Sequence, residues 1–534
     1  MSTLAPDAPH PNVVAARSGT PGLDALAIAL PTALAAVLCL IAITSRSLGF
    51  DEGATVAIAS QHGAALGTAI GRDGGNMSGY YLLMHVLIGA FGNGLLVLRL
   101  PSALAGTATV GLVAAIGLRL ADRRVAVIAG LLTAVSISLV YWAQTARGYA
   151  PMVAFVTAGF LAYIVLVESS DGGAAGPGTR RMPWGSWIAY VVLMVLASYS
   201  SFVAVLVIPA QLLVLVRRPV AARRLMGALV AVAVCCIPLL ILAARRGSGQ
   251  LFWVPRPSHK VETQVLESLT SAGLQPSFHR TASTYVLLGL TLLALLGIVI
   301  LVVRRLRRGE AGWAPVMLLA WLIVPVALTF VYSLLAQPLL QPRNLIMCVP
   351  ALALALGLVL GDRRVPLVAA AAALVVVVGL RAWQLGASYG VSPEPWHVVS
   401  ADILARARPG DCVAFYPEDA RNPFQYYVGA SSASVSRAPR SILPVIRSGV
   451  VKPYVEDYVV PSRAELMRAG AGCRRLWFIS SHEGDPTGPA ESKRHRAAYF
   501  ALDAELEGLF GRAPVQRYGY APLIHVQLLP HGLR

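Results

Sequence analysis

Long apolar runs separated by short polar turns dominate the first 383 positions of the chain. A bilayer core takes about 20 apolar residues per helix. On that measure the stretches 23–44, 95–118, 125–143, 151–167, 227–244, 285–303, 313–335, 345–360 and 365–383 each predict one span. The run 187–216 is too long for one straight helix and carries a polar middle, Ser198-Tyr199-Ser200-Ser201. It predicts two short spans joined by a tight turn, for about eleven in all. The stretch 79–91 is apolar but too short to cross. With the Gly- and Asn-rich segment before it, it predicts a re-entrant or interface-lying element.

Beyond position 384 the pattern changes. Residues 411–417 and 475–480 read as short buried strands, and 398–407 and 493–509 as helices. The expected fold class is therefore a polytopic α-helical membrane protein with a C-terminal α/β domain over 384–534, roughly 150 residues, an ordinary domain size. Residues 1–22, rich in Pro, Ala and Ser, predict a disordered tail, and 23–383 the membrane domain.

Composition agrees: 56% of the 534 residues are hydrophobic and only 13% charged, where soluble domains carry about 25%. The net charge of +18 does not signal nucleic acid. Its arginines cluster in alternate loops (119–124, 180–181, 217–224, 304–308, 363–364), as cytoplasmic loops do. That pattern predicts a plasma-membrane protein with a cytoplasmic N-terminus and an extracytoplasmic C-terminal domain; Arg245-Arg246 is the local exception. Of six cysteines, Cys412 and Cys473 fall in the outer domain, either as a disulfide or as two buried thiols. No spacing forms a metal site, and His482-Glu483 lacks the second His of a zinc-protease motif.

The candidate chemistry lies in the loop 45–94. Asp51 and Glu52 adjoin at a membrane surface, where ionisable groups are costly and functional by default. Asp51 is also a candidate helix N-cap, and Glu52 a first-turn residue favoured by the helix dipole. Tyr80, Tyr81 and His85 follow in the short apolar stretch. Arg147, Trp253 and Arg343 lie in other turns predicted to face outward.

Leu48-Gly49-Phe50-Asp51-Glu52, Tyr80-Tyr81-Leu82-Leu83-Met84-His85 and Leu98-Arg99-Leu100-Pro101-Ser102-Ala103 resemble the first third of GT-C superfamily glycosyltransferases. The nearest branch is the bacterial protein O-mannosyltransferase/aminoarabinose-transferase type. Gln144-Thr145-Ala146-Arg147-Gly148-Tyr149, the segment 250–255 and Gln341-Pro342-Arg343-Asn344-Leu345 continue the likeness in the family's order, over roughly residues 25 to 385. The resemblance implies transfer of a sugar, mannose, arabinose or similar, from a polyprenyl-phosphate donor to a glycan, lipid or protein of the cell envelope, with inversion by single displacement. It implies Asp51 as the base or acceptor-orienting group. Thr145 stands where relatives often carry Glu, and Asn344 where they often carry Tyr. The first departure removes a carboxylate from any divalent-cation site, so a cation remains only a candidate cofactor.

Such a transfer needs a proton acceptor, and partial desolvation is expected to raise the Asp51 pKa toward that task, with Glu52 sharing the work or binding a cation. It needs cations on the leaving phosphate, for which Arg147 and Arg343 are candidates; Arg99 reads as a structural, interfacial residue. It needs lateral access for the lipid carrier, which Tyr80, Tyr81, His85 and Trp253 can line, although an ordinary aromatic belt reads the same way. The alternative is a secondary transporter or lipid-carrier flippase, which would place its ionisable residues at mid-membrane within repeats.

Overall fold

The computed structural model describes residues 20–169, 184–217, 219–246, 254–270, 282–307, 312–443, 460–486, 488–520 and 522–532. It is a helical bundle carrying a sheet-containing C-terminal domain. The first eight helices are α1 (Pro21–Leu40), α2 (Phe50–Ala59), α3 (Ala64–Arg72), α4 (Ser78–Phe91), α5 (Leu95–Leu120), α6 (Arg123–Ala134), α7 (Ile137–Ala143) and α8 (Tyr149–Glu168).

Among the described residues six helices are long and apolar enough to cross a membrane, or eight if each of two bent pairs is one span. The chain is thus a multi-pass membrane protein; among the described residues the expected count of about eleven is not confirmed. Two of the predicted spans are bent. The predicted span 125–143 breaks by 60° between α6 and α7, where Ser136 caps the new helix by accepting from Leu139 N–H. The predicted span 227–244 bends by 52° at Cys236, just before Pro238, which cannot donate to the preceding turn. The stretch 187–216 does divide. Trp184–Ser200 is α-helical, Ser201 is extended, and Phe202–Val207 continues as a 3₁₀ turn. Phe202 N–H, freed by the break, donates to the Asn76 side chain in the first loop at 3.3 Å.

One end of the bundle is tied by arginines. Arg123 bonds Asp24 at 2.6 Å, Arg119 bonds Glu168 at 2.6 Å, and Arg124 donates to the carbonyls of Leu360 and Val365. The turns holding Asp51, Arg147 and Arg343 lie at the opposite helix ends.

The C-terminal domain has a five-stranded sheet. Its strands are β1 (Asp411–Tyr416), β2 (Arg440–Ser441), β3 (Arg475–Ser480), β4 (Gln516–Tyr518) and β5 (Ile524–Leu529), in the order β2-β1-β3-β5-β4. β1 pairs in parallel with β2 and β3; β5 runs antiparallel to β3 and β4. The strands predicted at 411–417 and 475–480 are β1 and β3, and the helices at 398–407 and 493–509 are Trp396–Arg406 and Ala490–Phe510. Both central strands are almost wholly buried, as their continuous apolar runs require. Cys412 and Cys473 are joined in a disulfide, which resolves the two sequence alternatives and fits an oxidising compartment.

The domain grips the first loop. Phe50, at the start of α2, packs into the cluster of Trp396, Val413, Phe415 and Phe424. Tyr427 Oη accepts from Leu48 N–H at 2.7 Å. A Cβ on Gly53 would lie 2.9 Å from the Pro423 backbone nitrogen, so α2 and the helix Arg421–Val428 approach at a distance only glycine allows.

Candidate active site

α2 starts at Phe50, with Gly49 as its N-cap. Asp51 is therefore not the cap. It lies in the first turn with its side chain 43% exposed, its carboxylate accepting from Arg343 Nη1 at 2.8 Å. Arg343 comes from the Pro342–Leu345 turn and lies over the Tyr149 ring. Arg147, in the α7–α8 turn, is buried. It donates to the Asp51 carbonyl, the Thr55 hydroxyl and Tyr81 Oη at 3.2–3.4 Å. Among the described residues its Nε has no hydrogen-bond partner. Tyr81 Oη in turn donates to Asp73 at 3.0 Å. Gly148 holds this turn against the helix break: a Cβ there would lie 2.3 Å from the Ser200 carbonyl oxygen.

The two adjacent carboxylates have opposite settings. Burial pushes the Asp51 pKa up, but Arg147, Arg343 and His482 outweigh it and hold the group down at about 2. This reverses the expected rise, because two guanidinium groups face the carboxylate. Glu52 is 5% exposed. It forms a paired bond with Arg99 Nε and Nη2 at 2.9 and 2.8 Å, and accepts from Ala146 N–H and Gly49 N–H. Burial opposes its ionisation, yet Arg99 and these donors keep its pKa below the ordinary value. Arg99 also donates to the carbonyls of Ile43, Arg46 and Ser47. Glu52 is thus the clasp of the loop and does not share the open site with Asp51. Arg99 is structural as expected, but buried rather than interfacial.

The remaining candidates separate. Tyr81 belongs to the Arg147 network. Tyr80 is buried, its hydroxyl bonded to Ser102 and the Leu98 carbonyl, so it packs the bundle and lines no access route. His85 Nδ1 bonds the Ala59 carbonyl at 2.8 Å, at the far end of α2, about 12 Å along the helix from Asp51 at 1.5 Å per residue. Trp253 lies outside the described residues. Among those described, no three His, Cys, Asp or Glu side chains are grouped to hold a metal. Both carboxylates of the pair are engaged by arginines, a donor set that does not fit a divalent cation.

Sequence reasoning missed two residues of the C-terminal domain. Glu394 Oε2 accepts from Phe50 N–H at 2.8 Å and from Trp396 Nε1 at 3.1 Å. His482 packs on the Phe50 ring, centroids 4.2 Å apart, with Nε2 4.0 Å from Glu394 Oε1. The signal for Glu394 was its place between Pro393 and Pro395, a carboxylate on a stiffened backbone. His482 carried only its position two residues past the end of β3.

The overall fold recurs in known structures. ArnT from Cupriavidus metallidurans, solved with bound undecaprenyl phosphate, is similar over 93% of this chain and 97% of its own, with a TM-score of 0.52 and 13% identity. The oligosaccharyltransferase AglB from Archaeoglobus fulgidus, solved with an inhibitory peptide and a dolichol-phosphate, is similar over 94% of this chain and 74% of its own, with a TM-score of 0.52 and 10% identity. Residues 78–244 match the family described as dolichyl-phosphate-mannose-protein mannosyltransferase. No curated protein matches the chain in sequence. The chain shares the fold of these proteins, as its ordered motifs implied.

Proposed function

We propose that the chain is a membrane glycosyltransferase that moves a sugar from a polyprenyl-phosphate donor to a cell-envelope acceptor on the outer face of the membrane. The observation that carries this reading is the Asp51–Arg343 pair, open to solvent on one side and backed by the buried Arg147. A surface ion pair alone is common, but the unpartnered Arg147 Nε leaves donor capacity for an anion at the same place. Arg343 and Arg147 would bind the phosphate and stabilise the charge that grows on it as the sugar leaves. Asp51, ionised throughout the physiological range, would accept a hydrogen bond from the acceptor and favour positive charge at the anomeric carbon. Tyr81 and Asp73 position Arg147. The arginine ties at the opposite end suit a cytoplasmic face and a cytoplasmic N-terminus. Mannose and arabinose are the sugars the motif resemblance favours.

Binding of a long-chain polyprenyl phosphate to the purified protein in nanodiscs tests the phosphate site. Arg343→Ala is expected to weaken it at least about 10-fold, the scale of one charge-assisted hydrogen bond of about 1.5–3 kcal/mol. Equal affinity in wild type and variant would remove Arg343 from the phosphate site.

A further inference from the structure

We propose that the C-terminal domain supplies the proton-accepting half of the site: His482, backed by Glu394, takes the proton of the acceptor while Asp51 stays paired with Arg343. This inference rests on the glycosyltransferase reading and deepens it by assigning a second catalytic group and the acceptor's seat.

Three independent observations carry it. The first is topology. β2 follows β1 on one side, and β3 returns in parallel on the other, so the carboxyl ends of β1 and β3 flank a switch point. In open α/β sheets ligands bind in the crevice outside that edge. Here the segments leaving both strands meet the Asp51 loop, through Tyr427 and Pro423 after β1 and His482 after β3.

The second is backbone conformation. His482 has φ of 57°, a region non-glycine residues seldom occupy and which surrounding structure must impose. The turn aims the imidazole at α2, where it sits on Phe50 beside Asp51.

The third is the charge arrangement. Burial and Arg343 lower the His482 pKa to about 4, against the pull of Asp51 and Glu483, so the ring is a neutral proton acceptor at rest. Glu394 is driven up to about 7 by burial, with Asp51 and Glu52 adding to the rise and the Phe50 and Trp396 donors opposing it. Asp51 and Glu394 thus stand at opposite ends of the carboxylate range within one site, the pattern that separates an ionised stabiliser from a group poised near neutrality.

The step balances without a further reactant. The acceptor O–H bond breaks and its proton goes to the His482 imidazole, whose Nδ1 is bonded to Ser481 Oγ at 3.0 Å and whose Nε2 stands 4.0 Å from Glu394 Oε1. The acceptor oxygen forms the new bond to the anomeric carbon. The bond from that carbon to the phosphate oxygen breaks, and the leaving polyprenyl phosphate keeps the electron pair under Arg343 and Arg147. The imidazolium so formed faces the carboxylates of Glu394 and Asp51. Glu394, which reaches the reaction through His482, is a positioning residue.

The test uses the full chain in nanodiscs with a polyprenyl-phosphate sugar and an envelope acceptor, measuring kcat, KM and pH dependence. His482→Gln and His482→Ala are expected to lose about 100-fold or more in kcat, the scale of general base catalysis, with donor KM unchanged and the thermal midpoint retained. Added imidazole should restore part of the His482→Ala rate. Wild-type kcat should rise with pH through about 7 as Glu394 ionises, and Glu394→Gln should lose that rise. Wild-type kcat in His482→Ala would overturn the inference and leave the transferase intact. Loss without imidazole rescue, together with a wild-type pH profile in Glu394→Gln, would reduce both residues to structural roles and also overturn it. A wild-type protein that releases polyprenyl phosphate from no sugar donor would overturn the transferase reading, and this inference with it.

Discussion

Asp51 and Glu52 share a peptide bond yet do different work, and the difference is set by what faces each carboxylate. Glu52 is sealed against Arg99 with its oxygens fully subscribed. Breaking one partner of a buried pair costs about 3–5 kcal/mol, so Glu52→Ala should lower the thermal midpoint of the protein markedly, measured by unfolding in detergent. Asp51→Asn keeps shape and leaves that clasp untouched. It should lower the midpoint far less than Glu52→Ala, because the Asp51–Arg343 pair is partly exposed, while lowering turnover at least about 100-fold. The Asp51 pKa is depressed to about 2, below the unfolded value of about 3.9. Its ionisation therefore contributes stability above about pH 4, which is lost as pH falls toward 2, and it should produce no step in a rate profile between pH 5 and 9. Asp51, Arg147 and Arg343 were legible because charge stands out beside apolar runs. Their meeting was not: 292 positions separate Asp51 from Arg343, and only the fold closes that distance. Glu394 and His482 were hidden because a carboxylate and an imidazole are commonplace in a polar domain.

At the scale of elements, α2 joins the two halves. Its N-terminal Phe50 packs, half-buried, against the core of the outer domain, its Glu52 is locked to α5, and its Gly53 touches Pro423. Gly53→Ala should force this contact open at a cost of about 1–3 kcal/mol, the usual range for overpacking. The readout is faster proteolysis between the domains together with reduced turnover. Strands β1 and β3 were legible because fully buried strands must be continuous apolar runs. The break near Ser201 was legible from its polar residues. The bends at Ser136 and Cys236 were not, since apolar content alone does not report helix direction.

For the molecule as a whole, the outer domain packs on the Asp51 loop and is not an appendage. Removing residues 390–534 would expose Phe50 and delete the partners of Leu48, Ser47 and the Phe50 amide. The truncated chain should therefore lose transfer on every acceptor, including small ones, which transfer assays on a short synthetic acceptor would reveal. Retained activity on such an acceptor would confine the domain to recognition. The two-ended distribution of charge, with arginine ties at one end and the Asp51 pair at the other, gives the molecule two chemically distinct ends, as the proposed transfer on one face requires.

The central claim is that the Asp51–Arg343 site moves a sugar off a polyprenyl phosphate. The most direct measurement is release of polyprenyl phosphate from a panel of polyprenyl-phosphate sugars by the purified full chain in nanodiscs with an envelope acceptor fraction, wild type beside Asp51→Asn. We expect release with one sugar, dependent on acceptor and reduced at least about 100-fold in the variant. Equal release by wild type and Asp51→Asn would contradict the assignment of the site, and no release with any sugar and acceptor, alongside passage of a labelled lipid or solute across the bilayer, would replace the transferase with a transporter.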